Sequence, residues 1–159
     1  MGKKDDKTNV MRILDEKGII YGSLSSDPAM VNTADIAAFY GLDIRKVFKT
    51  LIAVGKSNEH YAFVVPGDKE LDLKKAERAA EEKSVEMIPQ KELLPLTGYV
   101  HGGCSPIGMK KPLKTFIDAS AEQFTEICFS GGRVGHHIQL TFSDLMKAVA
   151  PEVADITKD

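Results

Sequence analysis

Apolar positions recur at helical spacing near the start of the chain, where Val10, Ile13 and Leu14 share one face of a helix predicted over residues 8–17. Thr8 is placed to cap its first turn and Gly18 to stop it. A second amphipathic helix is predicted from Asn32 or Thr33 through Ile36, Ala37 and Tyr40 to Gly41. Both read as structural helices. Residues 71–82 are rich in good helix formers, and their charges read as a solvated face. Residues 143–149 predict a helix capped by Ser143, and residues 91–94 a short one ending before Pro95.

Elsewhere the pattern turns to β. Residues 19–24 predict a strand, followed by a turn at Ser25-Ser26-Asp27-Pro28. The runs 47–54 and 61–65 are apolar almost throughout and are joined by the polar loop 55–60. They predict a hairpin in the middle of a sheet covered on both faces. Residues 85–88 and 114–118 predict further strands, residues 126–130 and 136–140 a second hairpin around Gly131, Gly132 and Gly135, and residues 154–156 a last extended piece. Strands outnumber helices and connect mostly as hairpins. The expected class is therefore α/β of the α+β kind: a mixed, mostly antiparallel curled sheet or partial barrel with flanking helices, not a doubly wound parallel sheet.

At 159 residues the chain is expected to be one domain over 1–159, with residues 1–7 disordered. Hydrophobic residues make up 43% and charged residues 28%, as in soluble globular proteins. No apolar run approaches the roughly 20 residues of a membrane span. The charged first residues lack a signal core, so a cytoplasmic location without membrane contact is expected. Cys104 and Cys128 then read as free thiols. A net charge of −2 argues against a DNA or general nucleic-acid binder working through bulk charge. It leaves room for a local patch from Lys49, Lys110, Lys111, Arg133 and their neighbours.

The chemistry concentrates in three stretches. Gly102-Gly103-Cys104-Ser105-Pro106-Ile107-Gly108 is a tight loop whose amide N–H groups could face an oxyanion or a phosphate. Ser130-Gly131-Gly132-Arg133-Val134-Gly135 is a second glycine-rich turn. Lys49 interrupts an apolar strand, so it either points to a cleft or sits at a sheet edge. A buried ammonium needs an anionic partner or water. No metal is expected: His136 and His137 are adjacent on a strand and point to opposite faces, and no Cys-x-x-Cys accompanies His101 and Cys104. Cys104 lacks the local signatures of a catalytic thiol, Ser105 and Ser130 lack an Asp/His context, and neither glycine turn matches a P-loop or a dinucleotide fingerprint. No cofactor is expected.

In combination, Val47-Phe48-Lys49-Thr50-Leu51, Leu71-Asp72-Leu73-Lys74-Lys75, the run from Gly98 to Gly108, Lys114-Thr115-Phe116-Ile117-Asp118 and Ser130-Gly131-Gly132 resemble the YbaK/EbsC-type aminoacyl-tRNA editing domains. The resemblance runs in order from about residue 19 to residue 156. It implies a YbaK-like fold and an aminoacyl-tRNA deacylase acting in trans on mischarged tRNA, most typically Cys-tRNA(Pro). Alternatives are Ala-tRNA(Pro) deacylation, or a non-catalytic module that binds a nucleotide end. The partner would be the acceptor end of aminoacyl-tRNA, with prolyl-tRNA synthetase as a further candidate. By this resemblance Lys49 would hold the terminal adenosine and its phosphate, and Gly102 and Gly103 would present backbone groups to the ester carbonyl. Thr50, Ser105, Pro106, Ser130, Gly131 and His137 would contact the substrate. In cysteine-specific members the substrate's own thiol would attack its ester. Two positions depart from the pattern: Leu24 stands where many members carry Tyr, and His137 where many carry Asp.

Overall fold

The computed structural model describes residues 7–159. The disorder expected over residues 1–7 therefore lies, for residues 1–6, outside the described residues, whereas Lys7 pairs with Asp15. Helix α1, Asn9–Glu16, starts on Thr8, whose Oγ1 accepts from Met11 N at 3.2 Å. It buries Val10, Met11 and Leu14. Strand β1 is Gly22–Ser25 and does not reach back to residue 19. The Ile19 amide closes the end of α1 by donating to Leu14 O at 3.0 Å, and Ile20 is 88% exposed, so neither joins the ladder. Helix α2, Thr33–Tyr40, is capped by Asn32 and ends at Gly41.

Strands β2, Phe48–Gly55, and β3, His60–Pro66, form the expected antiparallel hairpin. Their residues alternate between two apolar clusters. Phe48, Ile52, Ala62 and Val64 face one, while Ala53, Tyr61, Phe63 and Val65 face the other. That two-sided burial is why both strands are apolar nearly throughout. Helix α3, Leu73–Ala80, follows with Asp72 as its cap. Strand β4, Val85–Met87, pairs with the far half of β2. Helix α4, Leu93–Thr97, contains Pro95 instead of ending before it. Proline is tolerated there because first-turn amides have no intrahelical acceptor in any case.

Strand β5, Lys114–Asp118, lies as expected. Strands β6, Glu126–Arg133, and β7, His136–Thr141, form the second hairpin, with an irregularity between Ser130 and Arg133. Gly131 and Gly132 thus form a bulge inside the ladder, and the reversal is confined to Val134 and Gly135. Helix α5, Phe142–Ala148, is capped by Thr141, not Ser143: Thr141 Oγ1 accepts from Asp144 N at 3.0 Å. Strand β8 is Glu152–Ala154. Ile156 is fully buried beyond it, its amide donating to Asp118 Oδ1 at 3.1 Å.

Among the described residues the strands form two sheets, ordered β1-β7-β6 and β4-β2-β3-β5-β8, and neither closes on itself. The mixed, mostly antiparallel architecture is borne out. The connections are less uniform than the hairpin pattern implied, since β3–β5 and β5–β8 pair in parallel. The sheets meet over a shared core in which Ile127, Phe129, Ile138 and Leu140 face Phe48, Ile52, Val64 and Ile117. A parallel bridge between Val47 and Cys128 joins their edges. Helix α2 covers the other face of the smaller sheet, packing Ile36 and Ala37 on Val47 and Cys128. No helix among the described residues is long and apolar enough to cross a membrane.

Candidate active site

Strand β4 pairs with β2 only from Ala53 onward, and β6 meets the same edge only at the Val47–Cys128 bridge, so residues 49–51 between them have no ladder partner on that side. A cavity of about 410 Å³ lies there, bounded by β2, the start of α2, the loop at His101 and Gly102, and the α2-facing side of β6 and β7. Lys49, Thr50, Gly102, Ser130 and His137 all line it. Strand alternation puts Lys49 on the face of Leu51 and Ala53, and Thr50 on that of Phe48 and Ile52. A cavity at a strand edge is reached from both faces. The two placements open to Lys49 at the sequence level, cleft and edge, therefore coincide.

Lys49 is half-buried, and its ammonium has no hydrogen-bond or ion-pair partner among the described residues. Thr50 Oγ1 is buried without a partner. A cation and a hydroxyl left unpaired in one cavity are groups whose desolvation an anionic or polar ligand would offset. Gly102 has φ +87°, and its amide makes no hydrogen bond to any described residue. A Cβ there would sit 2.8 Å from Val31 Cγ1, so the loop lies directly against the cavity wall. The neighbouring Gly103 is different. Its N–H is spent on Val100 O at 2.9 Å, and a Cβ would come within 3.1 Å of Val134 N. Gly103 therefore allows close packing on the β6–β7 turn and leaves Gly102 as the open donor.

Three other expected residues stand off the cavity. Ser105 is fully buried, with Oγ accepting from Ile107 N at 3.2 Å. Pro106 lines a separate cavity of about 260 Å³. Gly131 sits in the bulge, where a Cβ would lie 3.3 Å from His136 O. Ser130 Oγ accepts from Gly132 N at 3.1 Å, which ties the bulge to the cavity wall.

Ser130 is the direct cross-strand partner of His137 on β7, and Leu24 on β1 is its partner on the other side. The two departures from the family pattern thus sit opposite each other. His137 is only 3% exposed, and burial, with a smaller effect from His136, pushes its pKa down to about 4. The imidazole is neutral at physiological pH. Its Nδ1 lies 2.9 Å from Tyr40 Oη, and the two rings meet edge to face at 5.3 Å. Cys104 also lines the cavity, but burial pushes its thiol up to about 12. It stays protonated at neutral pH, which argues against it as a nucleophile.

The sequence reading took α2 as structural only, and this is corrected: Asn32, Thr33 and Ile36 line the cavity and Tyr40 holds His137. The available signal was Tyr40 itself. A tyrosine on the buried face of a helix, one turn beyond Ile36, needs a partner for its hydroxyl. Glu70, a carboxylate on the cavity lining, was also not singled out; it pairs with Lys158 at 3.1 Å.

The model of one protein family, the aminoacyl-tRNA editing domain, matches residues 27–148. The chain belongs to this family. It is 36% identical over 157 residues to a protein of Enterococcus faecalis named as a proposed Cys-tRNA(Pro)/Cys-tRNA(Cys) deacylase, EbsC, covering 98% of this chain and 96% of that one. The editing domain is also 30% identical over 94 residues to a proline–tRNA ligase of Pelobacter propionicus, covering 59% of this chain and 16% of that much longer enzyme. Among solved structures, a hypothetical protein APE2540 superposes with a TM-score of 0.88 at 25% identity, over 95% of this chain and 100% of that one. A structure described as a proposed trans-editing enzyme for prolyl tRNA synthetase superposes with a TM-score of 0.82 at 24% identity, over 96% and 99%; at that identity it supports the fold alone. The resemblance read from the motifs is borne out, and so is the reading of the chain as an enzyme of aminoacyl-tRNA deacylation.

Proposed function

We propose that this editing domain acts in trans as a deacylase that clears cysteine from mischarged proline tRNA, gripping the acceptor end of the substrate in the β2-edge cavity. One observation carries the reading: an unpaired lysine, an unpaired threonine hydroxyl and a free glycine amide line the same cavity. In this scheme Lys49 takes the phosphate or ribose of the terminal nucleotide and Thr50 and Ser130 bound the aminoacyl group. The Gly102 N–H is the donor for charge building on the ester carbonyl oxygen. Gly103, Ser105, Pro106 and Gly131 serve by shaping the loop and the bulge.

Among the described residues no activated nucleophile accompanies these groups, which supports attack by the substrate itself. The cysteine sulfur bonds to its own carbonyl carbon, the bond from that carbon to the ribose oxygen breaks, and the thiol proton ends on the departing ribose hydroxyl. The cyclic thioester then opens in water. Holding sulfur and carbonyl in reacting geometry is most of what the site must supply. Prolyl-tRNA synthetase is the proposed partner, since a protein of net charge −2 that grips only the acceptor end lacks the charge to hold a whole tRNA tightly. The proposed role in translation fits a cytoplasmic location.

The test is ester loss from Cys-, Ala- and Pro-tRNA(Pro), measured side by side under single-turnover conditions. Cys-tRNA is expected to be cleared fastest, and Lys49→Ala to slow its clearance by about 10²-fold. An unaltered rate in that variant would remove Lys49 from the mechanism. Binding without any acceleration would instead identify a nucleotide-end binding module.

A further inference from the structure

The proposed mechanism leaves one built feature of the cavity unused. Tyr40 and His137 are 97 positions apart in sequence, yet Tyr40 Oη and His137 Nδ1 lie 2.9 Å apart. The rings meet at 73°, and Phe39 packs edge-on against Tyr40 at 5.4 Å. A neutral imidazole has one N–H and one lone pair, so this contact selects a tautomer. Phenol is a stronger donor than imidazole N–H, and its conjugated oxygen is a poorer acceptor than an imidazole nitrogen. The favoured arrangement is therefore Tyr40 Oη–H donating to Nδ1, which leaves the imidazole proton on Nε2. No described residue hydrogen-bonds Nε2, and His137 lines the cavity. Burial raises the Tyr40 pKa and lowers that of His137, so both groups stay in the neutral forms this bond requires.

We propose that Tyr40 is a positioning residue that fixes His137 as its Nε2–H tautomer. The N–H so presented is the site's selector for an amino acid whose side chain carries a sulfur or oxygen acceptor next to Cβ, against one that ends in a methyl group. The inference rests on the deacylase reading for its substrate and on the ring pair for its mechanism. An alkyl side chain leaves the buried N–H without an acceptor, whereas a thiol or hydroxyl satisfies it. Discrimination of this kind exceeds what shape alone gives between cysteine and alanine in a small cavity. Tyr40 does this without touching the substrate.

Two measurements test it on the full chain. Long-range ¹⁵N–¹H correlations on the His137 ring of the free protein are expected to show the Nε2–H tautomer, and in Tyr40→Phe a mixture of both. A wild-type protein in the Nδ1–H form would overturn the proposal without any variant having to fold. Affinity for hydrolysis-resistant, amide-linked cysteinyl and alanyl ends of tRNA gives the second readout, because a rate comparison would also register the missing thiol nucleophile of alanine. The ratio of the two affinities is expected to fall about tenfold in Tyr40→Phe and in His137→Leu, and to be largely retained in His137→Gln, which keeps an N–H donor. An unchanged ratio in Tyr40→Phe would overturn the selector role. A wild type that releases neither amino acid defeats the deacylase reading and the selector with it, while the ring tautomer still decides the positioning role.

Discussion

His137 shows how far a single residue's environment moves its chemistry. Its type alone leaves it neutral or cationic near pH 6.5; the fold holds it neutral down to about pH 4. The unfolded chain therefore takes up this proton first. Between pH 6.5 and 4 the unfolded state binds more protons than the native one, so stability falls as the solution is acidified through that window. It is unaffected by this group above 6.5 and levels off below 4. The effect is on the order of 3 kcal/mol at the acid end. Urea unfolding at pH 7.5 and 4.5 is expected to show a larger loss for wild type than for His137→Gln, and equal losses would remove His137 as the cause. Lys49 was legible at this scale because a cation in an apolar strand breaks its pattern. Tyr40 was not, because a tyrosine among apolar helix positions looks like any core residue. The division of labour between Gly102 and Gly103 was likewise hidden, since only the fold decides which of two adjacent amides is already bonded.

At the scale of elements, α2 is the piece whose position matters most to the site. Its first turn rests on the β3 exit, with Thr33 Oγ1 donating to Gly67 O at 3.2 Å. A Cβ on Gly67 would fall 2.7 Å from Thr33 Cβ, a clash with the stem of a short side chain. Gly67→Ala is expected to push α2 outward, cost about 1–3 kcal/mol and slow Cys-tRNA clearance together. Thermal unfolding and single-turnover rates check it; a stable variant with an unaltered rate would show that α2 is not held here. Most helices were readable because capping and propensity are local chemistry: Thr8 and Asn32 each accept from an amide three residues on, and residues 71–82 are rich in helix formers. The errors also have local causes. Thr141 competed with Ser143 for the same cap, and Ile19 gave its amide to α1 instead of a strand.

Across the whole molecule, the two sheets share one apolar cluster, so they are expected to lose structure together. Phe129 is 1% exposed and comes from the smaller sheet, packed in the same cluster as Phe48 and Ile52 of the larger. Phe129→Ala is expected to cost about 3–5 kcal/mol and to lower the midpoint of a single unfolding transition followed by circular dichroism. Two separated transitions in that variant would show that each sheet is held on its own. The same arrangement makes the site, because the β2 edge left open by the short β4 is the edge that the smaller sheet and α2 approach.

Periodicity, caps and glycine-rich turns act over a few residues, and so the sequence by itself determined nearly every helix and strand, the two-sided burial of the central hairpin and, through ordered motifs, the family. Which groups share the cavity was decided by the tertiary structure alone. Strand pairing set His137 between Ser130 and Leu24, parallel crossovers brought β5 and β8 beside β3, and helix packing carried Tyr40 to a ring 97 positions away. No short-range pattern can encode such meetings, because they depend on the closure of long loops and on which faces are left to bury once the local elements have formed.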